Sequence, residues 1–215
     1  MSVAAKICGL SSEEAVAAAI AGGAAYVGFV FYPPSPRSVS PRRAGELCRA
    51  VPAGVQRVGL FVDADDAVIE AALDAAPLDI MQFHGAETPE RAAEAKLRFG
   101  RKVMKAISVA GPEDVAVASR YESAADMLLF DAKPPRRADA LPGGNGLVFD
   151  WQLIAGRIWR LPWMLSGGLT AELLPEAVRI SGAQAVDVSS GVETSPGRKD
   201  VAKIRAFLAA AAAIR

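Results

Sequence analysis

The chain has 215 residues, 52% of them hydrophobic, with 24 basic against 24 acidic side chains. That content excludes a disordered chain, and the even balance excludes both the basic footprint of a nucleic-acid binder and a single-sign interaction tail. No apolar stretch of about 18 residues is free of charge, and MSVAAKICGL lacks a basic-then-apolar leader pattern, so no membrane segment or leader is expected. Cys8 and Cys48 form no CxxC pair, which points to a reducing, cytoplasmic setting, and the single histidine, His84, argues against a His-based metal site.

The first strand is predicted at 3–8 (VAAKIC), followed by a helix in SSEEAVAAAIAGG, which opens on Ser and Glu and stops at Gly22 and Gly23. A second strand at 25–31 (AYVGFVF) leads to PRRAGELCRAV, a helix with proline at its first position. Strands at 56–62 and 78–83 precede the helical patterns DADDAVIEAALDAAP and TPERAAEAKLRFG. The strand at 101–107 is followed by a weaker helical pattern, GPEDVAVASRYESA, and then by a strand at 126–131 (DMLLFD). The last strands fall at 162–167 and 183–189, separated by the helix in TAELLPEAVRISG, and the amphipathic VAKIRAFLAAAAAIR closes the chain. Most strand runs are continuously apolar, as in parallel strands buried on both faces. Eight such units in one chain fit a closed (β/α)8 barrel or a doubly wound sheet. With no linker composition and no second-domain signature, the barrel is favoured, as one domain over 1–215.

A barrel of this kind carries its active site at the C-terminal strand ends. Those ends hold Lys6-Ile7-Cys8-Gly9, Tyr32 through Arg37, Asp63, Gln82-Phe83-His84-Gly85, Asp131, Ser166-Gly167-Gly168 and Asp187 through Gly191. Small residues after the seventh and eighth strands let backbone N–H groups approach an anion, with the following helix N-termini adding their dipoles. Ordinary turns would read the same way. Cys8 could equally be a small buried residue, Cys48 fits the core, and Asp131 could pair with Lys133 or Arg136. His84 and Arg37 also have plain structural readings, Asp150 reads as a helix cap and Trp151 as packing. GGNG at 143–146 lacks the ending of a Walker motif. The long glycine-rich segment from Asp131 to Gly146 is functional or disordered on length alone.

KICGL (6–10), SPR (35–37), VGLFVD (58–63), QFHG (82–85), GGNGLVFDW (143–151), LSGGL (165–169) and DVSSGVE (187–193) resemble, in order and over nearly the whole chain, the phosphoribosylanthranilate isomerase family. Ser11 stands where the family usually has threonine, Asn145 replaces the commoner threonine and Phe83 the usual leucine; none of these removes a reacting group. The resemblance implies a cofactor-free, metal-free Amadori rearrangement of N-(5'-phosphoribosyl)anthranilate in tryptophan biosynthesis. It implies Asp131 as general acid and Cys8 as base, although only about 3% of a free thiol is ionised at pH 7. It implies Arg37 on the anthranilate carboxylate, with Gln82, His84 and Asp187 lining the site. Phosphate would sit on Gly144, Gly146, Gly167, Gly168, Ser189, Ser190 and Gly191, and the loop at 132–145 would close over the site. The expected partner is this small molecule, with no nucleic acid and no membrane, and a monomer is favoured over a dimer. Two other readings stay open. One is a different phosphosugar barrel, such as a metal-dependent pentose-phosphate epimerase or the two-aspartate histidine-pathway isomerase. The other is a non-catalytic phosphate-binding barrel.

Overall fold

The computed structural model describes residues 3–134 and 141–214. Eight parallel strands, β1 (Ala4–Ile7), β2 (Tyr26–Val30), β3 (Gln56–Phe61), β4 (Ile80–Phe83), β5 (Lys102–Val109), β6 (Met127–Ala132), β7 (Trp163–Leu165) and β8 (Ala185–Val188), lie in sequence order and close with β8 against β1. Lys6 is in register with Asp187 across that closing seam.

Side chains of a strand alternate between its faces, and here the alternation separates two cores. Leu128 and Phe130 of β6 pack outward in the large cluster beneath the helices, while Met127 and Leu129 point inward with Val58, Ile80, Met104, Ala106 and Met164. The inward column of β6 therefore reads Met127, Leu129, Asp131: an apolar plug topped by a carboxyl. The same alternation brings Gln82 and His84 of the fourth unit, and Lys6 and Cys8 of the first, into the upper barrel.

The helices start where the sequence signals them. In α1 (Glu13–Ala21), α2 (Pro41–Cys48), α3 (Asp66–Ala75) and α4 (Pro89–Phe99), the side chains of Ser12, Ser40, Asp65 and Thr88 each accept a hydrogen bond from the first-turn backbone. The weaker pattern after β5 becomes a short helix, α5 (Pro112–Ala116), and a 3-10 turn over Val117–Tyr121, where Val, Ser and Tyr are poorer helix formers. The remaining helices are α6 (Leu174–Ser181) and α7 (Val201–Ala213), the latter capped by Asp200.

Two units depart from the expected βα repeat. Among the described residues no α-helix lies between β6 and β7; a 3-10 turn, Trp151–Leu153, capped by Asp150, stands there instead. The outer face of β6 is covered by indole rings, with Trp159 at 4.9 Å and Trp163 at 5.7 Å from Phe130. Burying an aromatic of that size contributes about 1.5–3 kcal/mol, so β6 keeps its support without a helix. After β8 the chain forms a hairpin, β9 (Glu193–Ser195) and β10 (Arg198–Lys199), before entering α7.

Candidate active site

One cavity opens at the C-terminal ends of the strands. Cys8, Arg37, His84, Asp131 and Asp187 line it, together with Gly144, Gly146, Gly167, Gly168, Ser189, Ser190 and Gly191. Gln82 does not. It lies behind His84, fully buried, with its Nε2 3.0 Å from His84 Nδ1. The expectation that Gln82 lines the site is corrected on this point: its side chain ends on the imidazole, before the cavity. Cys48 is buried in α2, in the core.

On one wall, His84 Nε2 is 3.1 Å from Asp131 Oδ2, and Asp131 Oδ1 accepts the N–H of Ala132 at 2.9 Å. Lys133, the alternative partner of Asp131, pairs instead with Asp114 at 2.6 Å. Arg136, like Asp139, lies outside the described residues. A Cβ on Gly143 would come 2.6 Å from His84 Nε2 and 2.9 Å from Asp131 Oδ2. The start of the glycine turn therefore rests directly on this pair, which only glycine permits. Asn145, the departure from the family's threonine, donates from Nδ2 to the Leu141 carbonyl at 2.7 Å and so closes that turn on itself.

On the other wall, Cys8 shares the barrel interior with a buried ion pair, Lys6 Nζ to Asp187 Oδ1 at 2.9 Å, while Ser166 Oγ donates to Asp187 Oδ2 at 3.3 Å. Gly28 makes room for this group: a Cβ there would lie 3.1 Å from both Cys8 Sγ and Lys6 Nζ. Burial pushes the Cys8 thiol above its ordinary range, and Lys6 pulls against that only in part. Burial would also lower Lys6, but the Asp187 carboxylate more than reverses this and keeps the ammonium charged. Lys6 carried a usable signal. Two residues before Cys8 on the same strand, it faces the same way.

Arg37 is 5% exposed and is clamped by Glu193, whose carboxylate accepts from Nε and from Nη2, both at 2.9 Å; Nη2 also donates to the Gly144 carbonyl at 3.2 Å. Glu193 also accepts from Lys199 at 2.8 Å. Burial opposes the charge on Glu193, yet Arg37 and Lys199 hold its carboxyl below the usual range. Neither Glu193 nor Lys199 was expected at the site. Glu193 ended a quoted motif, but its partner Arg37 lies 156 residues away, and nothing local to Lys199 distinguishes it from a surface lysine.

Between the walls, the loops after β7 and β8 meet. Gly167 and Gly168 take φ of 92° and 60°, and among the described residues their N–H groups have no protein acceptor. Gly191 packs against the Leu169 carbonyl, which joins the two loops. The expected helix dipoles are a different matter. The α6 helix begins only at Leu174, and after Ser189 there is a three-residue 3-10 turn, so any anion held here is drawn by loop N–H groups, not by aligned helices.

The chain matches the family model described as N-(5'phosphoribosyl)anthranilate (PRA) isomerase over residues 5–210. It is 59% identical to the N-(5'-phosphoribosyl)anthranilate isomerase of Rhodospirillum centenum over 214 residues, spanning 100% of each. It is similar to the crystal structure of phosphoribosyl anthranilate isomerase from Thermotoga maritima, with a TM-score of 0.86 and 37% identity over 97% of this chain and 98% of the other. A further solved phosphoribosyl anthranilate isomerase, in complex with reduced 1-(o-carboxyphenylamino)-1-deoxyribulose 5-phosphate, superposes with a TM-score of 0.82 at 34% identity, covering 97% of this chain and 98% of that one.

Proposed function

We propose, for a chain that belongs to the N-(5'-phosphoribosyl)anthranilate isomerase family, that Cys8 and Asp131 divide the proton transfers of its reaction between them. The activity is the aldose-to-ketose isomerisation of N-(5'-phosphoribosyl)anthranilate to 1-(o-carboxyphenylamino)-1-deoxyribulose 5-phosphate in tryptophan biosynthesis. The observation that carries the assignment is a thiol and a carboxyl at the ends of separate strands facing one cavity, with loop N–H groups between them that have no acceptor among the described residues.

Asp131 gives a proton to the furanose ring oxygen as the C1–O bond breaks, and the nitrogen lone pair forms the C1=N⁺ iminium. Cys8, as thiolate, takes the proton from C2; that electron pair becomes a C1=C2 bond and the nitrogen is neutralised. Reprotonation at C1 and loss of the O2 proton give the ketone. Because burial favours the neutral thiol, the base is the fraction of Cys8 that has lost its proton to solvent, held as thiolate by Lys6 beside it and by the cation developing on the substrate. Arg37 holds the aromatic carboxylate through its planar fork. Gly167, Gly168, Ser189, Ser190 and Gly191, with Gly144 and Gly146 of the turn, hold the phosphate. Asp187 fixes Lys6 beneath the base, and His84 orients Asp131. The turn at 143–146 covers the acid, which fits exclusion of water from the iminium.

A monomer is taken as the working unit, and sedimentation velocity returning a stable dimer would overturn this. Two unpaired, buried cysteines suit a reducing cytoplasm, and among the described residues no helix is long and apolar enough to cross a membrane. The activity is tested with chemically made phosphoribosylanthranilate, followed by loss of its fluorescence, and by rescue of a tryptophan auxotroph lacking only this isomerase. Asp139→Asn serves as a control for Asp131, with activity expected to stay near wild type.

A further inference from the structure

We propose that Glu193 and Lys199, on the β9–β10 hairpin, are positioning residues that hold the two ends of the substrate site in register. Glu193 aims Arg37 at the aromatic carboxylate, and Lys199 ties that ion pair to the phosphate loop at Ser189. This rests on the reading of Arg37 given above.

The geometry of the fork is the first ground. Glu193 occupies Nε and Nη2 of Arg37 with two bonds of 2.9 Å. Among the described residues Nη1 has no acceptor, and a Cβ on Gly144 would lie 2.7 Å from it. One edge of the guanidinium is therefore spent on fixing its plane, and the free nitrogen belongs to a residue that lines the cavity.

The charge count is the second. The other buried lysine–carboxylate pairs of the barrel are balanced: Lys6 with Asp187, and Lys105 with Glu87. Here two cations, Arg37 and Lys199, share one carboxylate, and all three side chains are at most 6% exposed. A buried charge left unmatched is costly, so a cluster built with one cation in excess is built for an anionic ligand. Burial draws the Lys199 ammonium below its ordinary range and Glu193 works against it, the behaviour of a cation held in a dry cluster.

The third ground is connectivity. Lys199 Nζ donates to the Ser189 carbonyl at 2.9 Å and to Ser189 Oγ at 3.2 Å, as well as to Glu193. Lys203 Nζ, from α7, holds the Glu193 carbonyl at 2.7 Å. Gly197, at the hairpin turn with φ of 84°, packs against the Pro36 carbonyl, next to Arg37. The hairpin thus touches the segment that carries Arg37 and, through Lys199, the loop proposed to carry phosphate.

The test compares two substrates made from ribose 5-phosphate, one with anthranilate and one with aniline, which lacks the carboxylate. Glu193→Gln should raise KM for the anthranilate substrate about 10- to 100-fold, the range for a lost hydrogen bond to a charged group. It should change KM for the aniline substrate by less than about threefold, with kcat falling less than KM rises on the first. Lys199→Met should raise KM for both substrates and weaken competitive inhibition by inorganic phosphate. Arg37→Ala is the reference: an equal penalty on both substrates would remove Arg37 from the carboxylate and the underlying reading with it. If Arg37→Ala discriminates and Glu193→Gln does not, or if Lys199→Met leaves phosphate inhibition unchanged, the positioning role is wrong while the reading of Arg37 stands. If Glu193→Gln does not fold, Glu193→Asp, which keeps the charge on a shorter arm, should still shift the KM ratio in the same direction. An unchanged ratio in that variant overturns the proposal.

Discussion

Cys8 and Asp131 face one cavity from walls of different construction. Cys8 lies among full charges: a buried Lys6–Asp187 pair beneath it and the Arg37–Glu193–Lys199 cluster nearby. Asp131 lies at the end of a chain of one amide and an imidazole, Gln82 to His84 to Asp131, with one backbone N–H on its other oxygen. The difference suits the two proposed tasks. A buried thiol that acts as base has to become an anion, and fixed charge such as Lys6 favours that in a dry site. A carboxyl that delivers a proton needs an aimed oxygen, which directional hydrogen bonds supply.

The largest effects should come from removing the two groups proposed to transfer protons. Asp131→Asn keeps the hydrogen-bonding shape but not the acid, and should lower kcat by about 10²–10⁴-fold with KM little changed. Cys8→Ser should lose at least as much, since a hydroxyl hardly ionises at neutral pH. Substantial kcat in either variant, measured under saturating substrate, would take that residue out of the mechanism and erase the contrast. Next, Lys6→Met should cost about 3–5 kcal/mol in denaturant unfolding, because Asp187 is left as an unpaired buried charge. Gln82→Leu, on the other wall, should cost only the ~1–3 kcal/mol of one unsatisfied polar group. Equal losses in the two variants would mean that the walls do not differ energetically.

Gly168→Val sharpens the comparison at the loops between the walls. With φ of 60°, and with Val148 Cγ2 and the Leu147 carbonyl 2.7 and 2.8 Å from a Cβ, the variant should be destabilised as well as impaired in phosphate binding. The left-handed conformation alone accounts for about 1–3 kcal/mol. An unchanged melting temperature would contradict it. The smallest effect is one of shape. Because the folded site favours the neutral thiol, ionisation is delayed as pH rises, so alkylation of Cys8 by iodoacetamide should still be accelerating above about pH 9, where an ordinary thiol with a pKa near 8.5 is levelling off. Cys48, pushed up to about 11 by burial, gives a second buried thiol as reference. A plateau for Cys8 below neutral pH would show that Lys6 outweighs burial.

Much of this was legible in the chain. DMLLFD reads as a buried strand, and counting back from its last residue places Asp131 on the inward face with Leu129 and Met127. The same counting reaches Cys8, His84 and Asp187, because strand alternation and barrel closure are local rules applied eight times. What stayed hidden depends on distant partners. Glu193 meets Arg37 and Lys6 meets Asp187 across most of the chain, and no local pattern encodes those meetings. Gln82 was read one layer too far out, since QFHG does not say that its amide stops at the imidazole. The two tryptophans that cover Phe130, where no α-helix lies among the described residues between β6 and β7, carry no positional signal.

The seam between β1 and β8 also sets an order of events during synthesis. Asp187 leaves the ribosome 181 residues after Lys6. At about 5–20 residues per second, that interval is roughly 10 to 40 seconds. Throughout it the thiol of Cys8 belongs to a nascent chain whose barrel cannot close, and its lysine neighbour lacks a counter-ion. Pairing of such distant segments is slow to begin with, so the candidate site is among the last parts of the molecule to exist, and a chain arrested before Asp187 should carry an ordinary, alkylatable cysteine.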